Sequence, residues 1–216
     1  MPDQSAIPID RLSARNGAPR RPGTRALQTR ERLLAATVGL LDELPYRDLT
    51  SAIVTQRLGL SAPAFYRYFA DINDALAACA HAMRDTVEQI AGVVAARAWS
   101  GEDAIDSALE VIAALALFWD RHRALYRVTD LLADEGDTRF AAIKQQTFEP
   151  LTGAFSIVMA DVPGRDAVVA AGVVVASLLH VTARESGFAA SGIASAALRR
   201  HLADQVAVVI TGARPR

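Results

Sequence analysis

Residues Thr50 to Phe69 read TSAIVTQRLGLSAPAFYRYF, and the fold is decided by this stretch. Thr50 stands ahead of a short apolar-periodic run, where its hydroxyl can accept a hydrogen bond from a free backbone N–H and start a helix over 51–58. Gly59 follows that run at the position where a left-handed residue is needed, because it has no Cβ to clash. Ser61 then opens a second short helix whose first turn tolerates Pro63. Phe65 and Phe69 are four residues apart and share one face of that helix. The spacing predicts a helix-turn-helix: Ile53, Val54, Leu58, Leu60, Phe65 and Phe69 form a small core, and the opposite side of the second helix is free to meet a partner. An ordinary αα-hairpin has similar spacing, so other parts of the chain bear on the choice.

Upstream, Leu27, Leu34, Val38 and Leu41 recur at helical steps, which predicts a helix from between Thr24 and Thr29 up to Leu44-Pro45-Tyr46. Residues 1–23 hold Pro, Gly, Ser and Arg without a sustained apolar period and read as a flexible basic arm. Downstream the expected helices are longer: 73–98, 103–121, 123–133, 138–160, 165–187 and 192–212. Gly101, Gly136, Pro163-Gly164 and Gly187 serve as breaks, and Pro150 kinks or divides one helix. Five of the nine prolines lie near the two ends, which leaves the body rich in Ala and Leu and short of helix breakers. The expected fold class is all-α: an N-terminal three-helix helix-turn-helix domain (24–72) after the arm (1–23), followed by a larger helical domain (73–216), for which the family resemblance given below implies effector binding and dimerisation.

Composition narrows the function. The 216 residues are 51% hydrophobic and include a single cysteine, so neither a disulfide framework nor a Cys-based zinc site is expected. The expected setting is the cytoplasm, because no apolar stretch behind a basic start is seen in residues 1–25. The longest uncharged run, Ala167–Ala183, has 17 residues and contains His180; it reads as a buried helix and not as a membrane span. Net charge is −1, but it is distributed unevenly. Residues 1–70 hold ten arginines and six carboxylates, and the remaining 146 hold thirteen basic and eighteen acidic residues. A front end of +4 on a body of −5 points to a polyanion partner for the front end. His81, His122, His180 and His201 are scattered without metal-ligand spacing, and no phosphate-loop, dinucleotide or nucleophile-elbow pattern occurs. Catalysis, cofactors and metals are therefore not expected.

Thr29-Arg30-Glu31, Leu34-Ala35-Ala36, Thr50, Gly59-Leu60-Ser61 and Phe65-Tyr66-Arg67-Tyr68-Phe69, with their spacings, resemble the TetR/AcrR regulators over roughly residues 24–80. The resemblance implies a homodimeric, ligand-responsive repressor that binds a double-stranded, palindromic DNA operator. The alternatives are a ligand-independent DNA-binding or activator protein with a fully packed body, and a helical enzyme or adaptor whose hairpin only mimics the motif. Thr50, Ser51 and Ser61 stand at helix N-termini, where hydroxyls and free N–H groups suit phosphates. By resemblance, Tyr66 and Tyr68 reach the DNA backbone or base edges. Arg67 suits a phosphate or a guanine, whereas Ala62, Pro63 and Ala64 can offer only apolar contact to a thymine methyl.

This second helix is poor in direct readout, so specificity is expected to lean on the arm: Arg11, Arg15, Arg20, Arg21 and Arg25 suit a narrow minor groove. Two departures from the family pattern stand out. Ala70-Asp71-Ile72-Asn73-Asp74 carries Ile72 where many members have a lysine, which removes a phosphate contact, and Leu44-Pro45-Tyr46 replaces a glycine-containing turn.

In the body, Phe118, Trp119, Tyr126, Phe140, Phe148, Phe155 and Met159 gather in the middle helices, with Gln145, Thr152 and His180 as polar neighbours. Core packing accounts for each of these residues singly. The resemblance implies that a cavity for a hydrophobic or amphipathic small-molecule effector lies among them. The Ala-, Gly- and Val-rich helices within 165–212 are expected to pair with a second copy, because small side chains let backbones approach closely.

Overall fold

The computed structural model describes residues 24–101, 103–164 and 166–212, and within them the chain is helical with no strand. The elements are α1 (Thr24–Glu43), a 3-10 turn (Tyr46–Asp48), α2 (Ser51–Arg57), α3 (Ala62–Tyr66), α4 (Ile72–Ala96), α5 (Asp103–Asp134), α6 (Thr138–Val158), α7 (Ala167–Ala183), α8 (Glu185–Ala190) and α9 (Ser195–Thr211). Helices α1 to α3 form a small unit whose core is Leu33, Leu40, Leu49, Val54, Phe65 and Phe69, all buried. Helix α4 runs from this unit into the body, where it packs against α5 and α6. Helix α5 is the axis of the body and touches α1, α4, α6, α7 and α9.

Short polar side chains set the helix starts. Asp71 accepts from the Asp74 N–H at 2.7 Å, Asp137 from Arg139 at 3.0 Å, and Asp166 from Val168 and Val169 at 3.0 and 3.1 Å. Each satisfies a donor that the first helical turn leaves without an internal partner. At the departure from the family pattern, Asp74 also accepts from the Ala70 N–H at 2.9 Å, and half-buried Ile72 packs against the core. The segment that loses a cation therefore anchors the start of α4.

Two helix boundaries differ from the sequence expectation, and of the two outcomes expected at Pro150 the division is absent. The expected break between 121 and 123 is absent, and α5 is one helix of 32 residues. No Gly or Pro lies there, and His122 is buried, its Nε2 3.1 Å from the Thr86 hydroxyl on α4. Helix α6 passes through Pro150 undivided. The expected 165–187 helix ends at Ala183, and Gly187 lies inside the separate α8. Two long-range contacts hold that corner: Arg123 donates to the Ala183 carbonyl at 2.6 Å, and Arg199 of α9 pairs with Glu185 at 2.9 Å. The Val-rich run 173–175 is helical, as expected for the uncharged run Ala167–Ala183.

Candidate functional site

The hairpin is closed by backbone and hydroxyl bonds. Thr50 accepts from the Ile53 N–H at 3.3 Å and caps α2, as its position predicts. Thr55 is buried and donates its hydroxyl back to the Ser51 and Ala52 carbonyls, while the Leu60 N–H reaches the Thr55 carbonyl at 2.9 Å. That last bond requires the chain to reverse at Gly59, which sits at φ +64°. Ser61 occupies the N-cap of α3 without a capping side-chain bond. The Arg57 guanidinium joins the Glu43 carboxylate, which ties the end of α2 to the end of α1. The Tyr46 hydroxyl donates to Asn73 at 2.8 Å, which ties the 3-10 turn to α4.

Packing of Phe65 and Phe69 inward fixes what α3 presents outward. Phe65 is fully buried, with its ring centre 5.5 Å from Phe69 and 5.7 Å from Tyr66. Ala62, Pro63, Tyr66 and Arg67 are exposed, and Ala64 and Tyr68 are half-buried. The Tyr66 hydroxyl lies 2.9 Å from the Ser51 hydroxyl, so the two helices share one polar edge. Thr50, Ser51, Ser61, Tyr66 and Arg67 thus lie on one hairpin, with hydroxyls and a guanidinium available to phosphates. Arg67 lies 5.8 Å from the Tyr68 ring centre, and Arg30 lies 5.2 Å from that of Phe69. Of the arm arginines, Arg25 is exposed at the first turn of α1; Arg11, Arg15, Arg20 and Arg21 lie outside the described residues.

The effector candidates fall into three groups. Phe118, Trp119, Tyr126 and Phe148 pack ring against ring with centres 5.0 to 6.4 Å apart, edge to face in every pair but the tilted Trp119–Phe148. Phe155 and Met159 are buried elsewhere in the core, with Phe155 against Trp99 at 5.5 Å. Gln145 is exposed, and Thr152 donates its hydroxyl to the Phe148 carbonyl at 3.2 Å. His180 is exposed, and its Nδ1 lies 3.1 Å from the Arg184 guanidinium. Burial raises the Tyr126 phenol above its usual value, with further pushes from Asp130 and Asp134 outweighing the nearby cations, so the hydroxyl stays neutral.

A cleft of about 470 Å³ between α5 and α7 brings Trp119, Tyr126 and His180 together with Arg123, Arg127 and Arg184. The sequence reading missed these arginines. Their signal was present: Trp119, Arg123, Tyr126, Arg127 and Asp130 follow helical steps on one face, but an assumed break at 122 hides the period.

With this geometry in place, comparison with known proteins identifies the family. The family model described as the tetracycline repressor-like C-terminal domain matches residues 90–216. The chain belongs to the TetR family. Its members are transcriptional regulators and not enzymes. No curated protein matches the chain. Among solved structures, a TetR-family transcriptional regulator from Mesorhizobium loti superposes with a TM-score of 0.68 at 18% identity, covering 86% of this chain and 96% of that one. A transcriptional regulator from Rhodococcus sp. RHA1 gives 0.66 at 18% identity, covering 87% and 100%. The regulator FadR from Bacillus subtilis, in complex with stearoyl-CoA, gives 0.61 at 13% identity, covering 85% and 99%. At these identities the likeness carries the fold. The TetR-like fold extends from the N-terminal hairpin into the body, and among the described residues no helix is long and apolar enough to cross a membrane.

Proposed function

We propose that this TetR-family regulator is a ligand-responsive repressor that binds a palindromic operator as a homodimer. In this reading residues 24–72 are the DNA-binding domain, 73–216 the effector-binding and dimerisation domain, and 1–23 a basic arm. The observation that carries it is the hairpin edge, where exposed Ala62, Pro63, Tyr66 and Arg67 project beside a Ser51–Tyr66 hydroxyl pair on a core clamped by Phe65. Helix α3 is the reading element; Thr50, Ser51, Ser61, Tyr68 and the arm residues Arg20, Arg21 and Arg25 contact the backbone or minor groove. Ala62, Pro63 and Ala64 supply shape and little hydrogen bonding, so the arm and DNA deformability carry much of the discrimination.

The dimer face is assigned to α7 and α9. Val168, Val169 and Val173 are 57–64% exposed on α7, beside an apolar groove of about 550 Å³ lined from both helices. An unpaired stripe of valines of this kind favours a self-complementary contact. Pairing two hairpins places their recognition helices about 34–36 Å apart, the spacing of successive major grooves. The effector is a hydrophobic or amphipathic molecule; that a protein of similar fold binds stearoyl-CoA supports this class. Release follows as a population shift, with α4 carrying the change between the two domains.

Selection of bound sequences from random duplex DNA tests the reading. Enrichment of a palindrome with half-sites one helical turn apart is expected, and enrichment of nothing above background overturns it. Deleting residues 1–22 reduces discrimination between operator and random DNA at fixed salt if the arm reads sequence. A second reading, a ligand-independent DNA-binding or activating protein, draws support from the ring-on-ring packing of Phe118, Trp119, Tyr126 and Phe148. It predicts no thermal stabilisation across a broad panel of apolar and amphipathic ligands.

A further inference from the structure

The α5/α7 cleft departs from the electrostatics of the surrounding body. The body beyond residue 70 is acidic overall, yet Arg123, Arg127 and Arg184 converge on this one opening. Asp130, the one carboxylate lining it, is already paired with Lys144 at 2.5 Å. Arg123 is spent on the Ala183 carbonyl, and Arg184 touches only the His180 ring. Among the described residues, the Arg127 guanidinium makes no hydrogen bond or ion pair. The α5 wall also carries two aromatic rings beside Arg123 and Arg127. Trp119 is held in place by its Nε1–H donating to Thr182 at 2.8 Å, and the Tyr126 ring lies 5.1 Å from it. Flat apolar surface beside guanidinium groups without carboxylate partners is the chemistry that accepts an anionic head on an apolar body.

We infer that this cleft binds an organic anion, its carboxylate, sulfonate or phosphate head held by Arg127 and Arg184 and its aromatic or alkyl body laid against Trp119 and Tyr126. This deepens the effector reading above, and its regulatory consequence rests on that reading. Arg127 and Asp130 also line a second groove, of about 820 Å³, whose other wall runs from Leu41 to Arg47 at the end of α1. Asp42 and Glu43 stand in that wall. Arg127 thus stands between the cleft and the groove that faces the DNA-binding unit, and its side chain, turning from that groove toward a bound anion, carries the coupling between them.

The test uses the full-length chain and two probes with the same aromatic body: 8-anilinonaphthalene-1-sulfonate, which is anionic, and N-phenyl-1-naphthylamine, which is not. Binding is followed by probe fluorescence. Arg127→Gln and Arg184→Gln are each expected to weaken the sulfonate by about threefold to fivefold, the scale of an exposed ion pair, and to leave the uncharged probe unchanged. Added salt weakens the sulfonate in the wild type and has less effect in the variants. Arg121→Gln, on the α4 side of α5, serves as the control and is expected to change neither probe. If both arginine variants bind the sulfonate as tightly as the wild type, or lose both probes equally, there is no anion site. Operator affinity measured in the same samples separates the two claims. Arginine-dependent sulfonate binding with unaltered operator affinity upholds the site and removes its coupling to DNA, whereas absence of that dependence removes the site whatever the operator does.

Discussion

Replacing Gly59 with alanine tests the hairpin at its tightest point. The residue sits at φ +64°, and a Cβ built there meets no atom within 4 Å beyond its two chain neighbours. Overlap with residues farther along the chain is therefore absent, and the cost is that of the local backbone conformation. An L-residue in the left-handed region loses about 1–2 kcal/mol. Alanine recovers about 0.4–1 kcal/mol by restricting the unfolded chain. The net expectation for Gly59→Ala is a loss of about 1 kcal/mol, and because the Leu60 N–H to Thr55 carbonyl bond depends on this reversal, the loss falls on α2 and α3.

Amide hydrogen exchange read on peptides spanning 50–69 is the suitable assay, since it reports the local opening free energy. About 1 kcal/mol corresponds to roughly fivefold faster exchange there, with little change in peptides from α5 and α6. Gly59→Asn is the control: asparagine tolerates the left-handed region, so it is expected to lie between wild type and alanine. Wild-type protection in Gly59→Ala, or faster exchange in Gly59→Asn than in Gly59→Ala, would refute the reasoning.

Three further predictions concern the body. Thr182→Val keeps the shape of a buried side chain but leaves the Trp119 indole N–H without its acceptor; a loss of about 1–3 kcal/mol is expected in urea denaturation, largely restored by Thr182→Ser. His122 has its pKa pulled below 6.5 by burial, with a smaller push from Arg121, so the folded protein favours the neutral ring. As pH falls below about 6.5 the unfolded chain therefore binds more protons, and stability declines from its plateau above that pH toward the folded-state pKa. His122→Gln is expected to flatten that slope in denaturation curves collected as a function of pH. The Cys79 thiol is pushed up to about 12 by burial and donates to the Leu34 carbonyl at 3.6 Å; an aromatic disulfide reagent at about pH 8 should label it only after denaturant is added.

Local chemistry sufficed to read the N-terminal unit from sequence. Thr50, Gly59 and the Phe65/Phe69 pair each act within one turn of helix, through a capping bond, a backbone angle and a shared face, so the hairpin and its boundaries follow from neighbours in the chain. The all-helical class was legible for a similar reason, since breakers are scarce and apolar residues recur at helical steps. What sequence left undecided depends on contacts between distant residues. The continuity of α5 across His122 involves Thr86 on α4, and the corner after Ala183 is held by Arg123 and Arg199 from α5 and α9. Likewise only folding sorts the body's aromatic residues: it seals Phe155 and Met159 into the core, packs Phe118 and Phe148 together, and leaves Trp119 and Tyr126 to wall a cleft with three arginines. Periodicity marks which face of a helix is apolar, but which faces meet, and what charge is left uncompensated between them, is set by packing in three dimensions.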